Sequence, residues 1–94
     1  MTTEEKNDLI AEYGEEEVNA YIVIVGEEYA NKEDFEEARQ GEWGSDEDFA
    51  RNLLESAGDL PKDLPPYIHI DWESTARDIM MDYSEEGGYY FRNL

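Results

Sequence analysis

The chain of 94 residues has room for one compact domain, and we expect residues 1–94 to form a single acidic domain. Its 26 Asp and Glu residues against 7 Lys and Arg residues give a formal net charge of −19, well beyond the magnitude of about 2–8 that keeps a small domain soluble. This charge excludes direct binding to nucleic acid and disfavours an anionic membrane surface, and the absence of cysteine excludes disulfides and thiolate chemistry.

Two helices are predicted in the first quarter of the chain. Thr3 can cap the first helix, which should end at Tyr13 because a glycine follows. Residues 15–26 are ambiguous, since the run at 21–25 has strand propensity. The three glutamates before that run, the helical spacing of its apolar residues and the closing glycine favour a helix.

Local capping signals define two further helices. Asn31 should cap a short helix that runs through Arg39, and glycines enclose a predicted turn at residues 41–44. Ser45 opens the clearest helix of the chain, because acidic residues fill its first turn and an apolar stripe follows at helical spacing. Gly58 should end this helix in a left-handed conformation.

The C-terminal third is predicted to combine one helix with extended segments. Residues 59–66 contain all three prolines and should form a loop, and residues 67–70 read as a short strand. Asp71 should cap a helix that runs to about Tyr83. A pair of glycines then turns the chain into a strand at residues 89–92, which we expect to pair with residues 67–70.

These elements predict a mainly α fold of the α+β class. We expect a compact acidic helical domain of about four to five short helices with a small C-terminal two-stranded β element. The apolar faces of the helices supply the predicted core residues: Phe35, Phe49, Leu53, Leu54, Trp72, Ile79 and Met80.

The sequence offers little material for catalysis, and we expect no enzyme activity, no cofactor and no metal site. The one histidine, His69, lies between isoleucines in the predicted strand and should be solvent-facing or structural rather than a general base. The acidic run at residues 46–48 lacks the spacing of a calcium-binding EF-hand loop. The glycine pair at residues 87–88 has no following lysine or helix, so it is not a phosphate-binding loop.

The carboxylates themselves are therefore the candidate functional groups. On a helix, carboxylates three or four residues apart are separated by about 4.5–6 Å along the axis, whereas each DNA strand carries one charge per about 3.4 Å. An array of acidic helices can approximate this phosphate lattice and attract a basic partner. The residues that we predict to bind the partner are Glu15, Glu16, Glu27, Glu28, Glu33, Asp34, Glu36, Glu37, Glu42, Asp46, Glu47, Asp48, Glu73, Asp78 and Asp82.

Residues 34–50, with the sequence DFEEARQGEWGSDEDFA, resemble a characteristic stretch of the ArdA antirestriction family. The later segments Pro-Tyr-Ile, Asp-Trp-Glu, Thr-Ala-Arg-Asp and Tyr-Tyr-Phe-Arg resemble the C-terminal part of that family, so that the resemblance covers about residues 15–92. It implies an acidic, elongated mimic of DNA that inhibits type I restriction-modification enzymes, is carried by phages or mobile genetic elements to evade host defence, and often forms a homodimer. Because typical members are nearly twice as long, the chain should correspond to their C-terminal part.

The expected function is thus inhibition of a type I restriction-modification enzyme by a cytoplasmic DNA mimic that occupies its DNA-binding groove. The expected partner is a basic DNA-binding protein, with no membrane or nucleic-acid partner and with a homodimer as an option. The sequence also leaves open an anti-CRISPR protein, an acidic module for another basic protein such as a histone-like factor, simple adaptation to salt and, remotely, a carboxylate hydrolase.

Overall fold

The computed structural model describes residues 1–58 and 65–94. Over these residues, five helices and a small antiparallel sheet of three strands confirm the predicted α+β class. The contacts divide the chain into two compact units: unit 1 comprises Met1–Glu42 and Asp82–Leu94, and unit 2 comprises Trp43–Met81. The elements in chain order are α1 (Thr3–Tyr13), α2 (Glu15–Val25), α3 (Lys32–Ala38), β1 (Arg39–Glu42), α4 (Asp46–Ala57), α5 (Trp72–Ile79), β2 (Tyr83–Glu86) and β3 (Tyr89–Arg92).

Helices α1 and α2 are joined by Gly14, whose φ of 96° lies in the region that favours glycine. The predicted end of α1 at Tyr13 is confirmed, but Thr2 rather than Thr3 is the cap, since the Thr2 Oγ1 accepts the backbone N–H of Glu5 at 3.1 Å. The ambiguous residues 15–26 are helical as favoured. Burial of one face of α2 in the core of unit 1 outweighs the strand propensity of its β-branched run.

Helix α3 begins as predicted, with the Asn31 Oδ1 accepting the backbone N–H of Asp34 at 2.9 Å. It ends one residue earlier than expected, because Arg39 is extended (φ −64°, ψ 136°) and starts β1. The turn predicted at residues 41–44 is correspondingly wrong in its first half. Gly41 belongs to β1, and its φ of 90° accompanies a shift in register between Arg39 and Gly41.

The sheet has the strand order β1-β3-β2, so β3 is hydrogen-bonded on both sides. The predicted strand at residues 89–92 and the glycine turn before it are confirmed, but the predicted partner at residues 67–70 is wrong, since that segment is not a strand. The sheet therefore has three strands instead of the two expected. Helix α5 ends at Ile79 and not near Tyr83, because Tyr83 starts β2 and pairs with Arg92.

Unit 1 has a core in which α1, α2 and α3 meet β3. Leu9, Val18 and Phe35 are fully buried, and Phe91 is 2% exposed. The Phe35 ring makes an edge contact with Tyr21 at 5.3 Å between centroids and also lies 5.8 Å from the ring of Phe91. This aromatic cluster fixes the sheet against the helices, because such contacts add to the free energy of apolar burial.

Unit 2 pairs α4 with α5. Both predicted caps are confirmed: the Ser45 Oγ accepts the backbone N–H of Asp48, and the Asp71 Oδ1 accepts that of Ser74, each at 3.1 Å. Gly58 is left-handed with a φ of 73°, as predicted. Most of the loop predicted at residues 59–66 lies outside the described residues.

Two of the seven predicted core residues are buried, and five are only half-buried. Phe35 in unit 1 and Phe49 in unit 2 are buried as expected. The prediction is wrong for the remaining five, which are only half-buried, because the short paired helices of unit 2 do not fully enclose their apolar stripes. These residues are Leu53, Leu54, Trp72, Ile79 and Met80.

Candidate functional site

The acidic residues predicted to bind a partner lie almost entirely on the surface. All of them are exposed except Asp34, which is half-buried. Asp34 Oδ2 accepts the side-chain N–H of Asn31 at 2.8 Å, so this carboxylate also holds the start of α3. Glu27 and Glu28 lie in the turn after α2, and Asp82 directly precedes β2. The predicted carboxylates therefore lie on ordered parts of the backbone and are open to solvent.

Tyr89, at one end of the sheet of unit 1, has glutamates beside it on three neighbouring elements. Tyr89 pairs in register with Glu42 of β1 on one side and with Glu86 of β2 on the other. Its hydroxyl donates a hydrogen bond to the Glu16 Oε2 of α2 at 3.2 Å. A hydrogen bond to Glu42, burial and the hydrogen bond to Glu16 together raise the pKa of Tyr89 to about 12, so the phenol remains a neutral donor among the negative charges.

Two carboxylates on the acidic face of α3 make contacts with other side chains of unit 1. The hydroxyl of Tyr13 donates to the Glu36 Oε2 at 3.3 Å, and the Arg92 guanidinium lies 3.2 Å from the Glu37 Oε1. Both contacts are exposed and leave the carboxylates open to solvent. Because exposed ion pairs contribute only about 0–1 kcal/mol, these contacts hold the Glu36 and Glu37 side chains only weakly.

In unit 2 the structure brings together acidic residues from α4 and α5. Asp46 and Glu47, from the first turn of α4, line a shallow cleft of about 240 Å³ with Glu73 of α5. Arg77 also lines the cleft, and its Nη2 lies 3.6 Å from the Glu73 Oε1. Asp78 is exposed on α5 but is not part of this cleft. Of the five predicted residues of unit 2, three therefore line one cleft, whereas Asp48 and Asp78 are exposed outside its lining.

Sequence reasoning missed that one glutamate of the acidic run at the start of α2 is structural. Glu17 is 4% exposed, and both its oxygens accept hydrogen bonds from Arg39, at 3.0 Å from Nε and 3.1 Å from Nη2. The signal was present, because position 17 precedes the buried Tyr21 by one helical turn and so shares its face. Tyr89 was missed as well, since its contact to Glu16 joins distant parts of the chain.

The arginines of the described residues offset little of the negative charge. Arg39 is held by Glu17, and the Arg51 Cζ lies 4.9 Å from the centroid of the Trp72 ring. Arg77 and Arg92 pair with single carboxylates. Each of these four arginines is engaged within its own unit, and with a formal net charge of −19 the field around the chain is strongly negative.

Residues 1–58 and 65–94 contain neither a metal-binding cluster nor a membrane-spanning helix. No group of three or more His, Asp or Glu side chains there is arranged to hold a metal ion. None of the helices in those ranges combines the length and apolar character needed to cross a membrane. The exposed carboxylates remain the main chemical feature of the described surface.

Comparison with known proteins identifies the family. A family model described as antirestriction protein (ArdA) matches residues 2–91, so the match includes α1 as well as the segments from residue 15 onward in which the resemblance was visible. Neither the curated proteins nor the solved structures gave a match. Since the family model covers nearly the whole chain, the chain belongs to the ArdA family of antirestriction proteins.

Proposed function

We propose that the chain inhibits a type I restriction-modification enzyme by occupying the groove in which that enzyme binds DNA. Membership of the ArdA family supports an antirestriction role and implies interaction with restriction-modification enzymes. The observation that carries the DNA-mimic mechanism is the exposure of nearly all the predicted carboxylates on ordered elements. The chain itself binds no DNA in this proposal, because its charge has the same sign as that of the phosphates.

A DNA mimic differs from a merely acidic chain because it holds its carboxylates on an ordered backbone. On α3, Glu33 lies three and four residues before Glu36 and Glu37, so these positions are separated by about 4.5–6 Å along the helix axis, of the same order as the spacing of phosphates along a DNA strand. A rigid array loses little conformational entropy on binding, whereas a flexible acidic peptide must be ordered at the moment of contact. A groove shaped for DNA should therefore prefer the folded chain to an unstructured polyanion.

The strong negative charge also supports fast capture of a basic partner. A net charge of −19 on a chain of 94 residues steers a positively charged groove toward the protein from a distance. Such steering weakens as salt screens the field, with a Debye length of about 10 Å at 0.1 M ionic strength. The proposal thus predicts both competition with DNA and strong dependence on salt.

The decisive experiment measures displacement of a fluorescent DNA duplex from a purified type I enzyme by fluorescence anisotropy. The folded chain should displace the duplex, and the concentration required should rise steeply with salt. A polyglutamate peptide of 19 residues matches the net charge of the chain but not its order, and it should displace the duplex much more weakly. If the chain leaves the duplex bound, or if polyglutamate is equally effective, the proposed mechanism is wrong.

A further inference from the structure

A groove in unit 1 lies between α2 and the hairpin formed by β2 and β3. Its volume is about 340 Å³, near the lower end of the roughly 300–1,000 Å³ of ligand pockets, and so suits one large side chain. No lysine or arginine is among the described residues that line it. The lining residues are Glu16, Asn19, Ala20 and Val23 from α2 and Glu86, Gly87 and Tyr89 from the hairpin.

The apolar part of the groove lining is open to solvent at Val23. Val23 is 67% exposed, although its neighbours Ala20 and Tyr21 on the same helix are buried in unit 1. The side chain of Val23 thus contributes nothing to the core and lines the groove instead. An apolar stem laid across Val23 would remove this surface from water, with a gain that is proportional to the area covered.

The chain already shows how it binds a guanidinium. Within unit 1, the Arg39 Cζ lies 4.4 Å from the centroid of the Tyr13 ring while Glu17 accepts two hydrogen bonds from the same guanidinium. The Tyr13 hydroxyl is in turn held by Glu36. This arrangement combines a cation–π contact, a charged hydrogen-bond acceptor and a tyrosine whose orientation is fixed by a second carboxylate.

The groove presents the same three components on the surface. Tyr89 supplies an aromatic ring, and its hydroxyl is held by Glu16. Glu86 lines the groove directly beside it, in register with Tyr89. Glu42 of β1 flanks Tyr89 on the side opposite Glu86 and adds a further negative charge. The apolar lining at Val23 matches the aliphatic stem of an arginine, and the carboxylates match its head group.

From this match we propose that the groove between α2 and the β2–β3 hairpin receives an arginine side chain of the basic protein that the chain inhibits. Arginine fits better than lysine because its planar guanidinium can stack on an aromatic ring and bind a carboxylate with two hydrogen bonds. A purely apolar side chain would leave the carboxylates at the rim without a new partner. The identity of the protein that supplies the arginine rests on the proposed function, whereas the chemistry of the groove does not.

The chemistry can be tested without any target protein. We would titrate the isotope-labelled full chain with N-acetyl-arginine amide and follow the backbone amides by NMR. The amides of Val23, Gly87 and Tyr89 should shift saturably and at lower ligand concentration than those near the exposed carboxylates Glu33 and Glu47. The lysine and norleucine analogues should bind more weakly. Equal shifts at all these sites, or a preference for lysine or norleucine, would overturn the proposal.

A pair of charge-matched variants tests the role of the groove in inhibition. Val23→Arg places a guanidinium of the chain in the groove, whereas Asn7→Arg adds the same charge at an exposed position on α1. In the anisotropy assay, Val23→Arg should weaken displacement of DNA by about tenfold and Asn7→Arg by about twofold, as expected for loss of one central anchor. Glu86→Gln provides a second variant that keeps the shape of the groove, and it should weaken displacement more than Glu47→Gln.

The two proposals fail in different ways. If the unmodified chain does not displace DNA, the proposed function is wrong, and the NMR titration alone decides whether the groove binds arginine. If the unmodified chain displaces DNA but Val23→Arg behaves like Asn7→Arg while both remain folded, the mimic mechanism stands and the groove is not a point of contact. If Val23→Arg does not fold, equal effects of Glu86→Gln and Glu47→Gln lead to the same conclusion.

Discussion

The guanidinium of Arg39 and the carboxylate of Glu17 form a two-point contact, with Nε to Oε2 at 3.0 Å and Nη2 to Oε1 at 3.1 Å. Glu17 is 4% exposed, so Arg39 supplies the hydrogen bonds that offset the cost of burying this carboxylate. The pair joins the start of α2 to the start of β1, and Arg39 also stacks over Tyr13 of α1. A single arginine thereby holds three elements of unit 1 together.

The first prediction is that Arg39→Ala destabilises the fold strongly. Breaking a buried ion pair by removing one partner costs about 3–5 kcal/mol, and we expect the lower end because the Arg39 side chain is 33% exposed. Chemical denaturation followed by circular dichroism measures the loss. Arg39→Lys keeps the charge but cannot make the two-point contact, so it should recover only part of the stability. A free energy of unfolding unchanged in Arg39→Ala would contradict this role.

Local signals in the sequence were sufficient where neighbouring residues determine the structure. Helix α4 was predicted from its Ser45 cap, its acidic first turn and its closing Gly58, and each of these features acts within a few residues. The prediction of a strand at residues 67–70 is wrong, because this segment has strand propensity but does not pair with another strand. Strand pairing depends on the partner, and β3 is already bonded to β1 and β2.

The candidate site could likewise be predicted from the sequence only in part. Exposure of the carboxylates followed from helical periodicity and from the general rule that charged residues stay on the surface. The groove could not be predicted from the sequence, because it requires Tyr89 to lie beside Glu16 and Glu86 of separate elements. Arg39 was assigned to α3 because its local context is helical, whereas its pairing with Phe91 places it in a strand.

A second prediction contrasts two core positions. Phe35→Ala should cost about 3–5 kcal/mol, because Phe35 is fully buried among the rings of unit 1. Leu53→Ala should cost only about 1–2 kcal/mol, because Leu53 is half-buried in unit 2 and truncation leaves no closed cavity. Thermal and urea unfolding of the two variants provide the comparison. Equal losses would show that the burial of Leu53 is greater than the structure indicates.

A third prediction concerns the titration of Tyr89. With its pKa raised to about 12, Tyr89 should remain protonated at a pH of about 11, above the ordinary value of 10.0. The contribution of this proton to stability is complete below the unfolded value and is lost as the pH rises through the folded value. The ¹³Cζ shift of Tyr89, assigned by comparison with Tyr89→Phe, reports its ionisation.

The cause of this shift can be tested with two matched variants. The hydrogen bond to Glu42 is the largest cause, so Glu42→Gln should lower the pKa of Tyr89 more than Glu16→Gln does. A pKa of Tyr89 near 10 in the unmodified chain, or one that Glu42→Gln leaves unchanged, would show that Glu42 and Glu16 do not hold the phenol as described.

The last prediction separates a distributed charge lattice from one essential carboxylate. If the surface imitates DNA, the binding energy is spread over many exposed groups that each contribute about 0–1 kcal/mol, so no single carboxylate-to-amide change should abolish inhibition. The triple variant Glu27→Gln, Glu28→Gln, Glu33→Gln should weaken displacement of DNA severalfold, because these side chains are exposed and unit 1 does not need them for packing. Asp34 is left unchanged in this variant because it also holds the start of α3.

Neutralising Asp46, Glu47 and Asp48 together should weaken displacement as well, but these residues also stabilise the N-terminus of α4, so each preparation must first be shown to be folded. A triple variant of comparable size at the uncharged exposed residues Thr3, Asn7 and Asn52 controls for surface change without change of charge. The effects of the two acidic clusters should accumulate when they are combined, because a distributed mimic has no single essential carboxylate. Loss of inhibition from one amide substitution, with both clusters inert, would instead identify a discrete carboxylate site and rule out the distributed mimic.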